Sequence, residues 1–580
     1  MSIQTIIDKV QVFAKAQHEE LHCFLHEAHV KHGSLELKAQ CVPHDAIEVS
    51  FAGSAFISSI GLEFPDAQFD STTPVFTSDG FGTMGDALSK PNYGNFFIMV
   101  QLKATAEWLL IGIGERCADL SFFHFEHGRL LAGWIPERAI GTDFRRTMLV
   151  WTDSSPERLV SRYQELCRNM IPECATLNME SPVGWNSWDY YAAAISMESM
   201  EQEMTAINAS PLGGKLKYFT LDMGWENAWG DWRPNGRFPK EFREIASIIK
   251  KHGFEPGLWI APMQVEYLTE LARFKPQVLL KGADGRPILT STGSPVDVVG
   301  ILNLFDDEVF ALIQSWFRQF YDAGFRMFKV DYLYRDFLSC LSQSPDNQGI
   351  GVYVQRMFSA IRSAIGPDAR VINCGAPKEP AAGYAEIART GYDIHNFWGH
   401  VRKCTQQIVG HHWQNRLLWV NDPDFAIART TTNTNDSIPL NHPYVYRPYG
   451  GDNDFWMAGP EANDIELRTW LSIVYLCAGS ICFSDSFAAL TASGQDTLAK
   501  LLPPLASPAK PMDVFTEKLP RFWIGDGVLG VFNWNDEPQI IDLARLSTLP
   551  AKLHDFWTGE NIATQDGIRL ASHQGTILMF

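Results

Sequence analysis

The sequence has no surplus of positive charge. It holds 48 Lys and Arg residues against 67 Asp and Glu residues, which gives a formal net charge of −19. Nucleic-acid binding depends on basic side chains that displace counterions from the phosphates. The composition therefore argues against a nucleic-acid partner and favours a neutral substrate.

Paired cysteine motifs are also missing. The 10 cysteines are scattered between Cys23 and Cys482 without CxxC spacing, which disfavours a zinc site or a disulfide scaffold. The neighbours His411 and His412 do not easily share a metal from one helix face. We therefore expect no metal and no cofactor, and thiols that stay reduced in a cytoplasmic protein.

Long apolar runs are absent as well. The most apolar stretch, 471–483, is interrupted by Ser and Gly and is shorter than the roughly 20 residues that cross a bilayer. The first twenty positions carry charges and lack the apolar region and cleavage site of a signal peptide. We expect a soluble protein without a membrane partner.

Three kinds of sequence pattern follow one another, and 580 residues are too many for one compact core. Region 1–175 has short alternating segments separated by Gly, Pro and Asp, which predicts an N-terminal β-sandwich ending in a linker helix at 157–170. Region 505–580 returns to short strands and predicts a small C-terminal β-domain.

The middle region, 176–504, alternates strands and helices. Eight strands are predicted, at 183–188, 217–222, 255–260, 326–331, 370–374, 392–397, 417–422 and 480–485. Eight such units close into a (β/α)8 TIM barrel, an α/β fold whose active site lies at the carboxyl ends of the strands. The long connections 261–300 and 423–464 are expected on that face.

Polar and aromatic residues collect at these strand ends, namely Trp188, Asp222, Asp331, Cys374, Asp393, Asp422, Asp424 and Asp485. Asp also caps helices and forms turns, but so many aspartates exceed what capping requires. Lys329 and Asp331 lie two apart on the strand of FRMFKVDYLY and share a face. They form either a buried structural ion pair or a catalytic carboxylate that an ammonium keeps ionised.

Glycoside cleavage needs two carboxyl groups on opposite sides of the scissile bond. We predict Asp331 as the nucleophile and Asp393 as the proton donor facing it across the barrel. Arg389 is predicted to end a helix, either as a contact to a sugar hydroxyl or as a cation that stabilises the helix dipole.

Two further positions complete the predicted site. Asp222 is expected to bind hydroxyls on the far side of the sugar ring. Trp188 is either an apolar face beneath the sugar or a core residue.

Several motifs carry a family resemblance: GWNSW (184–188), LDMGW (221–225), GLWIAP (257–262), KVDYL (329–333), NCGAP (373–377), RTGYD (389–393) and NDPD (421–424). In this order they resemble the α-galactosidase clan, above all the retaining family 36 enzymes, with NDPD shared with family 27. The resemblance covers the barrel and suggests a homo-oligomer.

The resemblance implies a role for each matched residue. Asp331 matches the nucleophile and Asp393 the acid/base, while the remaining matches are substrate-binding residues: Lys329, Arg389, Asp222, Trp188, Cys374 and Asp424. One position departs from the pattern, because Met223 stands where the clan has a second carboxylate that binds galactose. A site that loses a hydroxyl-binding group loses discrimination between epimers.

The sequence thus predicts a retaining exo-glycosidase for terminal α-galactosides or a closely related sugar, with an oligosaccharide or glycoside as substrate. A transglycosylase and a glycosidase for another sugar stay open because of Met223. A non-catalytic sugar-binding protein on the same scaffold also stays open, and a metal-dependent barrel enzyme lacks a ligand cluster.

Overall fold

A computed structural model gives the architecture of the chain. It describes residues 9–16, 20–27, 29–32, 34–43, 45–64, 69–141, 144–290, 298–343, 348–435, 461–543, 546 and 549–580. Parts of both long predicted loops, 291–297 and 436–460, therefore lie outside the described residues. Within the described ranges, every helix is too short or too polar to span a lipid bilayer.

The N-terminal region folds into two antiparallel sheets, as its alternating pattern predicts. The first sheet contains Gln11–Ala16, Glu20–Phe24, Ala55–Phe64, Asn92–Tyr93, Leu120–Glu126, Arg129–Ile135 and Arg138–Ile140. The second contains His29–His32, Leu35–Val42, Ala46–Ala52, Pro74–Thr77, Gly80–Thr83, Phe97–Gln101, Trp108–Ile113 and Arg145–Asp153. The predicted β-sandwich is confirmed.

The linker helix spans Pro156–Met170. Ser155 caps it by accepting a hydrogen bond from the Arg158 amide, and Pro156 occupies a first-turn position where a missing N–H costs nothing. Its apolar face includes Tyr163, whose hydroxyl donates to the carbonyl oxygens of Phe96 and Ile113 in the sandwich. The helix is thus fastened to the sandwich before the chain enters the barrel.

The barrel strands, numbered β1 to β8, form one parallel sheet. They are Val183–Asn186 (β1), Tyr218–Leu221 (β2), Glu255–Ile260 (β3), Met327–Asp331 (β4), Arg370–Cys374 (β5), Ile387–Arg389 (β6), Val420–Asp422 with Phe425–Ala426 (β7) and Ile481–Phe483 (β8). Each strand from β1 to β6 pairs with the next, and β8 pairs with β1.

Strand β7 is broken, and the break closes the barrel. Its first half pairs with β6 and its second half pairs with β8. Asp424 lies between the halves with φ 78°, a left-handed conformation that is strained for a residue with a side chain. The predicted TIM barrel is confirmed.

Helices cover the outside of the barrel. They are Met197–Ala209, Phe242–Lys251, Asp307–Ala323, Ile350–Ala364, Trp398–His411, Asp464–Cys477 and Ala492–Ala499, with shorter ones at Trp188–Tyr191, Glu270–Phe274, Tyr334–Cys340 and Lys378–Ala381. Asn463 caps its helix together with Glu466 in a reciprocal capping box.

One predicted strand is wrong. The chain at 392–397 is a loop, and the sixth strand is Ile387–Arg389. Arg389 therefore ends a strand and not a helix, and only the short helix Lys378–Ala381 precedes this strand. Three residues buried on both faces give no periodicity from which a strand could be recognised.

The C-terminal region is a second antiparallel β unit. Its main sheet contains Lys510–Pro511, Phe522–Gly525, Val528–Phe532, Lys552–Asp555, Asn561–Ala563 and Gly575–Met579, beside the pair Gln539–Ile541 and Ile568–Leu570. The sheet packs on the barrel helix Asp464–Cys477, where Thr469 donates to the carbonyl oxygen of His573 and Trp557 donates to Ser472. The predicted small β-domain is confirmed.

Candidate active site

Seven of the eight predicted site residues lie at or just beyond the carboxyl end of the barrel sheet, and Lys329 lies inside β4, two residues before its end. Asp331, Cys374 and Arg389 are the last residues of β4, β5 and β6. Asp222 directly follows β2, Trp188 begins the short helix after β1, Asp393 lies in the loop after β6 and Asp424 lies in the break of β7.

Lys329 pairs with Asp222 and not with Asp331. Its Nζ lies 2.9 Å from Asp222 Oδ2, which also accepts a hydrogen bond from Asn186 Nδ2 at 2.8 Å. Burial alone would lower the pKa of Lys329, but Asp222 and the other acidic groups nearby hold that pKa well above its usual value. Lys329 is therefore a permanent cation held between β2 and β4.

Asp331 has a different partner from the one predicted. Its Oδ2 accepts a hydrogen bond from Trp259 Nε1 at 2.9 Å, and its Oδ1 accepts one from the Tyr332 amide at 2.7 Å. Burial raises the pKa of Asp331 above its usual value, and the Lys329 charge offsets only part of that rise. The ammonium acts on this carboxyl through space and not by direct contact.

Tyr332 adds a local constraint at the same place. Its φ of 57° lies in the left-handed region, which is uncommon for a bulky residue. This turn brings its own amide back onto the Asp331 carboxylate. Strained backbone of this kind concentrates at functional sites.

Arg389 binds two carboxylates at once. Its Nη2 lies 2.8 Å from Asp393 Oδ1, and its Nη1 lies 3.0 Å from Asp424 Oδ1. The guanidinium is almost fully buried, whereas 47% of the Asp393 side chain is exposed. Nη1 also approaches Cys374 Sγ at 3.6 Å, so four of the predicted residues form one connected group.

The two candidate catalytic carboxyls have opposite electrostatic surroundings. Burial would raise the pKa of Asp393, but the Arg389 guanidinium, with Lys329 and His395, holds it below its usual value. The pKa of Asp331 is raised by burial and, further, by the negative charge of Asp393. The negative charge of Asp393 therefore acts on the ionisation of Asp331.

Backbone contacts hold the Asp393 loop in place. The Tyr392 amide donates to Gln407 Oε1 at 2.9 Å, and the Ile394 amide donates to Asp424 Oδ2 at 2.7 Å. A side chain at Gly391 would collide with the same Gln407 oxygen, at 2.0 Å from its Cβ. The loop is thus fixed on both sides of the carboxyl by the helix after β6 and by Asp424.

A buried ionic network lies behind the site and was not predicted. His395 Nδ1 lies 3.1 Å from Asp189 Oδ1, Arg429 pairs with the other Asp189 oxygen, and Arg429 Nη1 lies 2.6 Å from Asp485 Oδ1. Asp485, one of the strand-end aspartates, is therefore a structural partner. In the sequence Asp189, His395 and Asp485 lie in three separate segments, NSWDY (186–190), DIHNF (393–397) and SDSF (484–487), and this pattern does not predict their pairing.

Aromatic rings form the wall on the β2 and β3 side. Trp259 packs against Trp229 at 5.5 Å and against Trp232 at 6.2 Å between ring centroids, and Trp225 Nε1 donates to the Trp259 carbonyl oxygen. Trp259 stands in the GLWIAP motif, which by itself predicts no role for it. Trp188 is half-buried at the mouth of β1, and Met223 is buried beside Asp222.

The carboxyl end of the barrel sheet thus carries two carboxyls, two buried cations and an aromatic wall. Two carboxyls can supply a nucleophile and a proton donor, and Lys329, Arg389 and Asp222 carry donors and acceptors of the kind that bind hydroxyl groups. In the described part of the chain, no group of three or more His, Cys, Asp or Glu residues has the arrangement of a metal site.

Comparisons with known proteins agree with this architecture. The Melibiase family model matches residues 143–344. Alpha-galactosidase Mel36A of Lactobacillus acidophilus is 24% identical over 150 residues, and alpha-galactosidase AgaA of Geobacillus stearothermophilus is 26% identical over 153 residues. These matches cover 24% and 25% of this chain and 20% of each relative, about a fifth of their length.

A solved structure extends the likeness over most of the chain. TtGalA, an alpha-galactosidase from Thermus thermophilus solved with p-nitrophenyl alpha-D-galactopyranoside, superposes with a TM-score of 0.60 at 17% identity. The superposition covers 83% of this chain and 95% of that one. At such identity the likeness shows the fold, and with the family model it confirms the resemblance that the motifs predicted.

Proposed function

We propose that this chain, which has the motifs, the family-model match and the fold of the α-galactosidase clan, is a retaining exo-glycosidase. It hydrolyses terminal α-galactosides or a closely related sugar through a covalent glycosyl-enzyme. The observation that carries the proposal is the pair Asp331 and Asp393. Asp331 ends β4 and accepts a hydrogen bond from Trp259, and Asp393 follows β6 and pairs with Arg389.

In the first step the Asp331 carboxylate attacks the anomeric carbon, and Asp393 gives a proton to the departing oxygen. In the second step Asp393 takes a proton from water, which attacks the same carbon and releases Asp331. Trp259 holds the nucleophile by its indole N–H. Asp393 is the more exposed carboxyl, which suits a group that must reach the leaving group.

Substrate binding has to reverse the order of the two pKa values in the free site. Arg389 lowers the pKa of Asp393 by direct contact, although a proton donor needs a pKa near the working pH. A sugar hydroxyl that accepts from Arg389 would weaken this contact and let the pKa of Asp393 rise. As Asp331 loses its negative charge on attack, the pKa of Asp393 falls again. This fall favours the transfer of its proton to the departing oxygen.

The experiment that tests the proposal is trapping and mutation of the nucleophile. Asp331→Asn should lower kcat on 4-nitrophenyl α-galactoside by at least about 10⁴-fold, because an amide does not form the glycosyl-enzyme. An activated fluorosugar should label Asp331, as mass spectrometry of peptides would show. The control is Asp322→Asn, an exposed acid on a barrel helix.

Two results would defeat the proposal. One is a label on any residue other than Asp331. The other is a product with inverted anomeric configuration, read by NMR immediately after turnover.

A second candidate, a glycosidase for another sugar, is favoured by Met223. Its buried thioether lies next to Asp222, where a second carboxylate would bind a hydroxyl. A site built to bind a hydroxyl rejects analogues that lack this hydroxyl by ~10⁴-fold or more. Loss of the carboxylate therefore reduces the preference for galactose over related sugars. Transfer to a sugar acceptor in place of water is a variant of the same chemistry.

A panel of nitrophenyl glycosides separates these sugars. We expect the ratio of kcat/KM between α-galactoside and α-glucoside or β-L-arabinopyranoside to be modest, and Met223→Asp to raise it by about 10-fold or more. Met263→Asp, a buried methionine after β3, is the matched control for inserting a carboxylate. If the wild type strongly prefers galactose and Met223→Asp leaves that preference unchanged, Met223 does not contribute to sugar selectivity.

The non-catalytic alternative is decided by the same panel. A protein that binds galactose but cleaves none of the glycosides would be a sugar-binding module. The cytoplasmic location and the homo-oligomer suggested by the resemblance stay predictions.

A further inference from the structure

A groove of about 1120 Å³ runs beside the candidate active site, between the sandwich and the carboxyl ends of β5 and β6. Gly375, which follows Cys374, and the segment Thr390 to Tyr392, which joins Arg389 to Asp393, form its inner wall. Its outer wall comes from the sandwich, at 78–95. The groove and the catalytic pocket therefore share the loop that carries the proposed proton donor.

The charge of this groove is opposite to that of the chain. Five of its lining residues are cationic, namely Lys90, Arg335, Lys378, Arg402 and Lys403, and two are anionic, namely Asp79 and Asp86. In the whole sequence Asp and Glu outnumber Lys and Arg by 67 to 48. The local excess is thus not a reflection of composition.

Most of these cations have no counter-ion within 4.0 Å in the part of the chain that the structure describes. Within the described residues, the ion pairs closer than 4.0 Å include none formed by Lys90, Arg335, Arg402 or Lys403. The two aspartates are already engaged: Asp79 accepts from Gln407 Nε2 at 3.2 Å, and Asp86 pairs with Lys518 at 3.6 Å. The positive charge of the groove is therefore available to a ligand.

Lys378 places a positive charge at the inner end of the groove. It is half-buried, and its ammonium donates to the carbonyl oxygen of Arg389, the residue that binds Asp393. Burial lowers the pKa of Lys378 to about 8, so it is still largely cationic at neutral pH. An anion next to it would favour the charged form further.

The position of the groove says which part of a substrate would lie in it. The proton donor of a glycosidase stands beside the leaving oxygen, and Asp393 lies on the loop that lines the groove. We propose that the groove is the aglycone subsite and that it binds a leaving group with an anionic substituent, a phosphate or a carboxylate. This inference rests on the proposed glycosidase function.

The test compares neutral and anionic sugars as inhibitors of 4-nitrophenyl α-galactoside hydrolysis by the full chain. Glucose 6-phosphate and glucuronate should inhibit more tightly than glucose, by about 10-fold at low salt, and added salt should reduce that difference. The anionic sugar with the lower inhibition constant identifies whether the groove prefers a phosphate or a carboxylate.

Charge reversal assigns the preference to the groove. The double change Arg402→Glu and Lys403→Glu should bring the ratio of the inhibition constants close to one. The neutral pair Arg402→Gln and Lys403→Gln should give an intermediate ratio and is the safer variant for folding, because both side chains already face the groove. Lys251→Glu, at the end of a barrel helix on the opposite face, is the control and should leave activity and ratio unchanged.

Equal inhibition by the three sugars in the wild type would overturn the inference, and so would an anion preference that survives the double charge reversal. Calorimetric titration with the same sugars keeps the two proposals apart. If no glycoside is cleaved, binding of glucose 6-phosphate that depends on Arg402 and Lys403 still supports an anion site, while its absence rejects the site independently of catalysis.

Discussion

The hydrogen bond from Trp259 to Asp331 is the contact through which the barrel wall acts on a single carboxylate. A donor to a carboxylate stabilises its charged form, so this bond lowers the pKa of Asp331 against the effect of burial. In the proposed mechanism the charged form is the one that attacks the anomeric carbon. The indole therefore extends the pH range in which the nucleophile works.

Trp259→Phe removes this donor and keeps the aromatic ring. The pKa of Asp331 should rise, so the acid limb of the kcat/KM profile should move to higher pH by about one unit. The measurement is kcat/KM on a nitrophenyl glycoside from pH 4 to 9.

The matched control is Trp225→Phe, since the Trp225 indole donates to the Trp259 carbonyl and not to Asp331. That change should lower stability without moving the acid limb. If both variants move it equally, the shift comes from general loosening of the wall.

At the scale of elements, the short helix Tyr334–Cys340 supports the end of β4 with a buried acid. Asp336 accepts two hydrogen bonds at 3.0 Å from Gln264 Nε2, while Gln264 Oε1 has no partner among the described residues. Burial raises the pKa of Asp336 to about 8. The protonated acid is uncharged, so it tolerates burial without a cationic partner.

The raised pKa makes stability depend on pH. Between an unfolded value of 3.8 and a folded value of about 8, the native state holds a proton that the unfolded state has lost. The contribution of Asp336 to stability is therefore present at low pH and declines as the pH rises through this window. Asp336→Asn, whose amide donates at every pH, should remove the decline.

Denaturant unfolding at pH 5 and at pH 8 checks this prediction. We expect Asp336→Asn to match the wild type at pH 5 and to exceed it by roughly 4 kcal/mol at pH 8. Asp322→Asn, at an exposed helical position, should show no pH-dependent difference. A variant that is less stable than the wild type at both pH values would mean that Asp336 is ionised in the native state.

At the scale of the whole molecule, one hydrophobic cluster runs through the sandwich, the linker helix and the barrel. Trp413 lies where the three meet. Its ring packs against Phe96 at 5.6 Å, Phe97 at 4.9 Å and Tyr163 at 5.9 Å between centroids. The sandwich that forms the outer wall of the groove is thus attached to the barrel by a continuous core.

Trp413→Ala should therefore destabilise both units together. Truncating a buried Trp costs about 3–5 kcal/mol, and because the core is shared the loss should appear in one calorimetric transition moved to lower temperature. Leu268→Ala, at a position that is 84% exposed, is the control. A separate early transition of the sandwich alone would show that the two units unfold independently.

The order of strands and helices, the barrel and most of the strand ends were predictable from the sequence. Local periodicity and turn residues determine these features, and residues that end parallel strands must meet on one face. Hence Asp331, Asp222, Cys374 and Asp424 were expected together before any contact was known. Strand β6 was missed because three residues buried on both faces carry no period.

The pairing within the site was decided only by the tertiary structure. Closure of the barrel, with its strand stagger, places Lys329 on Asp222, Trp259 on Asp331 and Arg389 between two aspartates. These partners are far apart in the chain, and each pKa depends on which of them arrives within hydrogen-bond distance. The sequence by itself determines which groups reach the carboxyl face, and the packing of the closed sheet determines which of them touch.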